Sequence, residues 1–234
     1  IAALILPYGA LVLGSLLKYP SQHITPDLLT LQNYDVLFAT RTLDCLKNTM
    51  ILSVISATAI VVLAVVLNYI ILRTRLPGRG IIDTVGTIPV AVPGIVFALG
   101  LVWFYVRVPL PIYGALGILA LAYVTRHLPD GLRITGSTLI QIDRELEESS
   151  RTCGATALQT IARVTMPLLR PAMLYAWLLT FIVISREISA SIVLWSPGAM
   201  VLSVLLWDLM DVGAYGRAYA VAMVLTLIIL AVVV

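Results

Sequence analysis

Arg186 and Glu187 stand side by side in an otherwise apolar run, "LTFIVISREISASIVLW". Charges within a membrane span are costly, and they mostly face a cavity, a water-filled path or each other. Two readings stay open for the pair: it lines a translocation path or outer gate, or it ties neighbouring segments together at an interface. Glu187 is also the strongest candidate for the coupling-ion site that a secondary transporter needs. The other titratable groups offer less. Asp83, beside a basic turn, fits an interfacial cap better than a proton carrier. Asp208 and Asp211 read as a solvated edge or as a rim met by an outer partner. His23 lies in a polar connection, and His127 sits between Arg126 and Pro129 at a span end. Cys45 and Cys153 are far apart and match no metal or redox spacing. Intramembrane proteolysis needs a Ser–His pair, an HExxH or two aspartates within spans, and the chain has none of these. No catalysis, no metal site and no bound cofactor are expected of it.

These residues sit in a chain of 234 residues that is 60% hydrophobic and only 12% charged. Soluble domains carry roughly 25% charged residues, so too little polar surface is available to wet a globule. The expectation is an integral membrane protein, all-α, because helices satisfy their own backbone in lipid. The net charge of +3 forms no basic stripe, which excludes a nucleic-acid partner. The chain starts at Ile1 without Met and ends within "LTLIILAVVV", so it is read as one piece of a longer polypeptide. Ile1–Leu17 lacks the basic start and cleavage site of a signal peptide.

Apolar runs long enough to cross about 30 Å of hydrocarbon predict six spans. They are Ile1–Leu17, Asn48–Leu72, Ile81–Val106, Tyr113–Ile134, Leu168–Ala190 and Ala218 to the end. Pro89, Pro93 and Gly94 are expected to kink the third, either as plain bending for packing or as part of a gate. Gly114 and Gly117 read as close helix packing. Arg73, Arg75 and Arg79 share one loop, and Arg144, Arg151, Arg163 and Arg170 share another, with Arg126 and Arg133 leading into it. Both fall on one side if the spans alternate, and the positive-inside rule makes that side cytoplasmic. Trp103, Tyr105, Tyr113, Trp195 and Trp207 would then form an outer aromatic belt.

The second basic loop contains "LEESSRTCGATALQTIARVTMPLLRP", from Leu146 to Pro171. Asp143 is placed to cap a helix whose early acids, Glu145, Glu147 and Glu148, suit the positive end of its dipole. Gly154 is the natural left-handed stop at the residue after the cap. Thr156 and Gln159 have the spacing of a capping box, so a short helix restarts there. Pro167 is expected to end it, with Pro171 in the first turn of the next span. The physics leaves two readings: a docking elbow or an ordinary interhelical loop.

The same stretch resembles the signature of the type I binding-protein-dependent ABC importer permeases. That signature runs E-A-A, three residues, G, nine residues, I-x-L-P. Here it reads Glu148-Ser149-Ser150, then Gly154, then Val164-Thr165-Met166-Pro167, with the spacing kept and small or apolar residues exchanged for like. "LTLQNY", "RTRLPGRG", "PVAVPGIV" and "SREISASIVLWSPGAMVLSVLLWDL" extend the resemblance along the chain.

The resemblance implies a polytopic transmembrane bundle of about six spans, with 1–234 forming one transmembrane domain, one repeat of a longer or fused permease. It implies that Glu148, Ser149, Ser150, Gly154, Ala155, Thr156, Thr160, Val164 and Pro167 form the coupling contact with a cytoplasmic ATPase dimer, where ATP would bind. It implies a periplasmic substrate-binding protein and a second permease half as partners, in the bacterial inner membrane. The tail resembles the ferric-iron subgroup most, with thiamine, polyamine and phosphonate importers as relatives. Arg186, Glu187, Pro89, Pro93 and Gly94 are the expected path residues. The alternative is a secondary transporter built on Glu187 and Arg186.

Overall fold

The computed structural model describes residues 2–21, 23, 25–108 and 116–233. Its helices follow the apolar runs. They are α1 (Ala2–Leu16), α2 (Thr40–Arg73), α3 (Arg79–Thr87), α4 (Gly94–Arg107), α5 (Leu116–Gln141), α6 (Arg144–Thr152), α7 (Ala157–Thr160), α8 (Met166–Ser185), α9 (Ser191–Leu194), α10 (Leu202–Asp211) and α11 (Tyr215–Val233). Among the described residues, three helical stretches are long and apolar enough to cross a membrane: Thr40–Arg73, Ala157–Ser185 and Tyr215–Val232. The pair α3–α4 makes a fourth if it is counted as one broken span. The other two expected spans correspond to α1, which is short, and to α5, which carries Arg126, Asp130 and Arg133. Tyr113 and Gly114 lie outside the described residues.

Two expected helix limits are corrected, whereas the third span is interrupted at Pro89 and Pro93 as expected, more sharply than by a kink: Arg79–Ala91 and Gly94–Arg107 meet at 108°. Pro89 opens a tight turn over Ile88–Ala91, and Val92 before Pro93 is extended (ψ 122°), because a residue preceding proline is pushed out of the helical region. The fourth span runs on past Ile134 to Gln141 and keeps Pro129 inside it. The fifth does not reach Ala190; α8 ends at Ser185. Arg186 and Glu187 therefore lie beyond the span helix.

The chain divides into two compact units. The first comprises Ile1–Leu52, Ala98–Leu119 and Ser185–Val234. In it α1 packs along α11. A Cβ on Gly14 would lie 2.5 Å from the Tyr219 ring, so the close approach requires glycine. The Asn33 amide donates to the carbonyls of Ser15 (2.9 Å) and Leu17 (2.8 Å), satisfying acceptors left at the end of α1. Asn48 and Thr49, in the N-terminal part of α2, hold the segment before α10: Asn48 donates to the Met200 carbonyl, and the Thr49 hydroxyl accepts the Leu202 N–H. Arg41 pairs with Asp208 at 2.7 Å, both side chains remaining partly exposed. Trp103, Trp195 and Trp207 are exposed as a belt requires, with Arg107 stacked on Trp103, whereas Tyr105 is buried and is not part of one.

The second unit comprises Ser53–Phe97 and Ala120–Ile184. Its apolar centre joins Val61 and Val65 of α2, Leu139 of α5, Ile142, and Leu169, Ala172 and Ala176 of α8. Small residues let α2 and α5 close up, as is common between membrane helices. A Cβ on Gly131 would lie 2.7 Å from Ile60 Cγ2 and 3.2 Å from Ala64 Cβ. Asn68 is buried there, and its amide donates to the Leu132 carbonyl and the Thr135 hydroxyl.

Candidate functional site

The most built feature of the second unit is the elbow from Asp143 to Pro167. Asp143 occupies the N-cap of α6 with extended backbone, but its side chain makes no capping hydrogen bond. The expected side-chain cap is therefore absent, and the backbone carbonyl alone accepts the first N–H, from Leu146. Glu145 and Glu147 stand in the first turn, where the helix dipole favours acids. At the other end Gly154 has φ +89°, as its position after the helix predicts. The N–H of Gly154 donates to Arg151 O (2.9 Å) and that of Ala155 to Ser150 O (3.2 Å). These two bonds are the paired closure of a Schellman C-terminus. Two residues later Thr156 caps α7: its hydroxyl accepts the Gln159 N–H (3.3 Å), and Gln159 Oε1 accepts the Thr156 N–H (2.9 Å). The capping box read from the spacing is formed in full.

Pro167 does not end the short helix. The chain passes from α7 through a wide π turn, Ile161–Thr165, directly into α8. A proline four residues after Arg163 would press its ring on that carbonyl in a regular helix. A π turn at this point widens the coil and leaves room. Pro171 likewise sits inside α8.

The resemblance-implied contact residues fall into two groups. Glu148, Ser149, Gly154 and Thr156 are exposed. Ser150, Ala155, Val164 and Pro167 are half-buried, and Thr160 is fully buried, its hydroxyl 3.1 Å from that of Ser150. Thr160 is an internal brace and does not present its side chain to a partner. Within the short helix Leu158 is 76% exposed, more than any other large apolar residue of the elbow.

Arg186 and Glu187 follow the end of α8 at Ser185. Arg186 is exposed and Glu187 buried. Glu187 Oε1 accepts the Ala190 N–H at 3.1 Å, just ahead of α9. Its carbonyl receives the hydroxyls of Ser191 and Ser203, drawing α9 and α10 to one point. Pro89, Pro93 and Gly94 form the α3–α4 break, where Arg126 reaches the Val92 carbonyl at 3.4 Å. His127 is buried, with Nδ1 3.3 Å from Asp130. Asp83 is exposed on α3.

Comparison with known proteins agrees with this architecture. Residues 60–234 match the family model described as binding-protein-dependent transport system inner membrane component. The chain is 29% identical over 230 residues to the ferric transport system permease protein FbpB of Actinobacillus pleuropneumoniae, covering 97% of this chain and 33% of that one. It is 26% identical to the Fe(3+)-transport system permease protein FbpB 2 of Haemophilus influenzae, covering 79% and 37%. A putrescine transport system permease protein, PotI of Escherichia coli, is 26% identical over 71% of this chain and 61% of its own length. The chain thus spans about a third of the length of the ferric relatives. A bacterial ABC transporter involved in import of the acidic polysaccharide alginate superposes with a TM-score of 0.75 at 20% identity, over 98% of this chain and 87% of that one. The inward-facing MetNI methionine ABC transporter superposes with 0.66 at 20% identity, over 81% and 90%. The fold is that of a type I ABC importer permease, and the chain belongs to the family of binding-protein-dependent transport system inner membrane components.

Proposed function

We propose that this chain is one transmembrane repeat of an ATP-driven, binding-protein-dependent importer. The Glu148–Pro167 elbow is its coupling contact with a cytoplasmic ATPase dimer. The observation that carries this is the elbow's construction: a glycine-closed helix and a capped short helix, at the family's spacing, present Glu148, Ser149 and Leu158 outwards. Closure of the ATPase dimer on ATP displaces the elbow, and rocking of two permease halves then alternates access to the path, a hinge-and-shear transition. Hydrolysis belongs to the partner. A periplasmic binding protein delivers cargo, and the second half is either fused or separate. The names of the ferric relatives support ferric iron as the cargo.

The test is co-purification from the native host. The tagged full-length parent protein, solubilised in mild detergent, brings an ATPase subunit down. Gly154→Trp inserts normally and loses either the ATPase or its coupling. A wild-type protein that brings down no ATPase under gentle conditions overturns the reading.

A further inference from the structure

We propose that Arg73 is a positioning residue that fastens the elbow to α2 and α5, so that the elbow and the two membrane helices behind it move as one body. The inference rests on the elbow being the coupling contact.

Arg73 is the last residue of α2. It stands first in a run of basic residues, where a solvated loop charge is the ordinary expectation. Instead its side chain is only 5% exposed. The guanidinium Nη2 donates to Leu139 O at 2.9 Å and to Ile142 O. Both carbonyls belong to the end of α5 and the link after it, where helix acceptors lose their partners. Its Nε lies 3.3 Å from Glu147 Oε1, a contact of charges without hydrogen-bond alignment. Glu147 is 6% exposed at its side chain and lies in the first turn of α6. The same Oε1 accepts the hydroxyl of Thr165, fully buried in the π turn that opens into α8. Arg144 adds a parallel tie from α6 to the Leu72 carbonyl of α2.

The ends of α2 and α5, the start of α6 and the entry to α8 therefore converge on one guanidinium and one carboxylate. The only covalent connection between α5 and α6 is Ile142–Asp143. Two residues with no capping side chain are a natural pivot, and without a brace a push on Gly154 would be absorbed there. The two side chains are only 5% and 6% exposed, and in so dry a setting their electrostatic interaction is stronger than in water. Buried ion pairs are weak contributors to stability, because apolar residues of similar size often do as well. What apolar residues do not supply is direction, and the pair's three hydrogen bonds do.

The test uses the full-length parent protein in its native host with its co-purifying ATPase. Cys153, exposed at the elbow, takes one spin label, and Val66→Cys on the exposed face of α2 takes the second; Cys45 is buried. Wild type is expected to give one narrow label distance that ATP does not change. Arg73→Gln and Glu147→Gln are expected to broaden it, and Arg73→Lys, which keeps the charge and two donors, to restore part of the narrowing. The double variant Arg73→Met/Glu147→Leu keeps the volume apolar and guards against simple unfolding. It is expected to insert, to retain ATP hydrolysis, and to lose about tenfold in ferric-iron uptake per ATP hydrolysed, the size of a typical coupling between sites. A distance that stays narrow in the Gln variants overturns the proposal, as does broadening with unchanged uptake per ATP. If wild type brings down no ATPase, the importer reading falls, and the label distances still decide whether Arg73 holds the elbow.

Discussion

The hydroxyls of Ser150 and Thr160 meet at 3.1 Å inside the elbow, one from the helix before Gly154 and one from the helix after it. The contact closes the two arms on each other. Thr160→Val keeps the buried volume and removes the hydroxyl. Loss of one such bond costs about 1 kcal/mol. The expected result is a roughly fivefold loss of hydrogen-exchange protection at the α7 amides, with membrane insertion unchanged. Unaltered protection would show that the box at Thr156 holds α7 alone.

Gly154 has open space around a prospective Cβ, so its left-handed backbone opposes any substitution and bulk beyond Cβ adds to that only for a large side chain. A left-handed conformation costs a non-glycine residue roughly 1–2 kcal/mol, and asparagine tolerates it best. ATP-coupled uptake is expected to fall in the order Gly154, Gly154→Asn, Gly154→Ala, Gly154→Trp, at equal protein levels in the membrane. Equal uptake by the Asn and Trp variants would remove the backbone argument.

Gly131 is a steric case instead. Its Cβ would strike Ile60 Cγ2 at 2.7 Å. Gly131→Ala is expected to destabilise by roughly 1–3 kcal/mol, the usual cost of overpacking. Ile60→Ala removes the obstructing methyl and is expected to recover part of that loss in the double variant. A double-mutant cycle on thermal midpoints in detergent measures the coupling. Strict additivity would mean that α2 and α5 do not meet at these residues.

Glu187 separates two mechanisms. As a brace, it needs an oxygen acceptor for the Ala190 N–H and its own main-chain carbonyl for Ser191 and Ser203. Glu187→Gln keeps both, and uptake is expected to stay near the wild-type level. Glu187→Ala removes the side-chain acceptor, and uptake is expected to drop together with protein stability. Loss of uptake in Glu187→Gln, with wild-type uptake abolished by collapsing the proton gradient, would instead favour secondary transport.

The sequence by itself determined the class of molecule and the local grammar of the elbow. Apolar runs longer than a bilayer core placed the spans, and a charge content of 12% left no other home for them. Gly154 after an acidic helix and Thr156 three residues ahead of Gln159 were legible because caps and left-handed stops are set by neighbouring residues. Helix limits were less legible. Pro167 reads as a stop in one dimension, but the π turn ahead of it lets the helix continue. Arg186 and Glu187 read as part of a span because hydropathy does not register where hydrogen bonding ends. Only the tertiary structure decided which charges are buried. Arg73 and Glu147 look like two more surface charges in the sequence, seventy-odd positions apart and on different helices. Packing α2 against α5 brings them within 3.3 Å. Their pairing follows from the geometry of helix ends in space, which local composition does not encode.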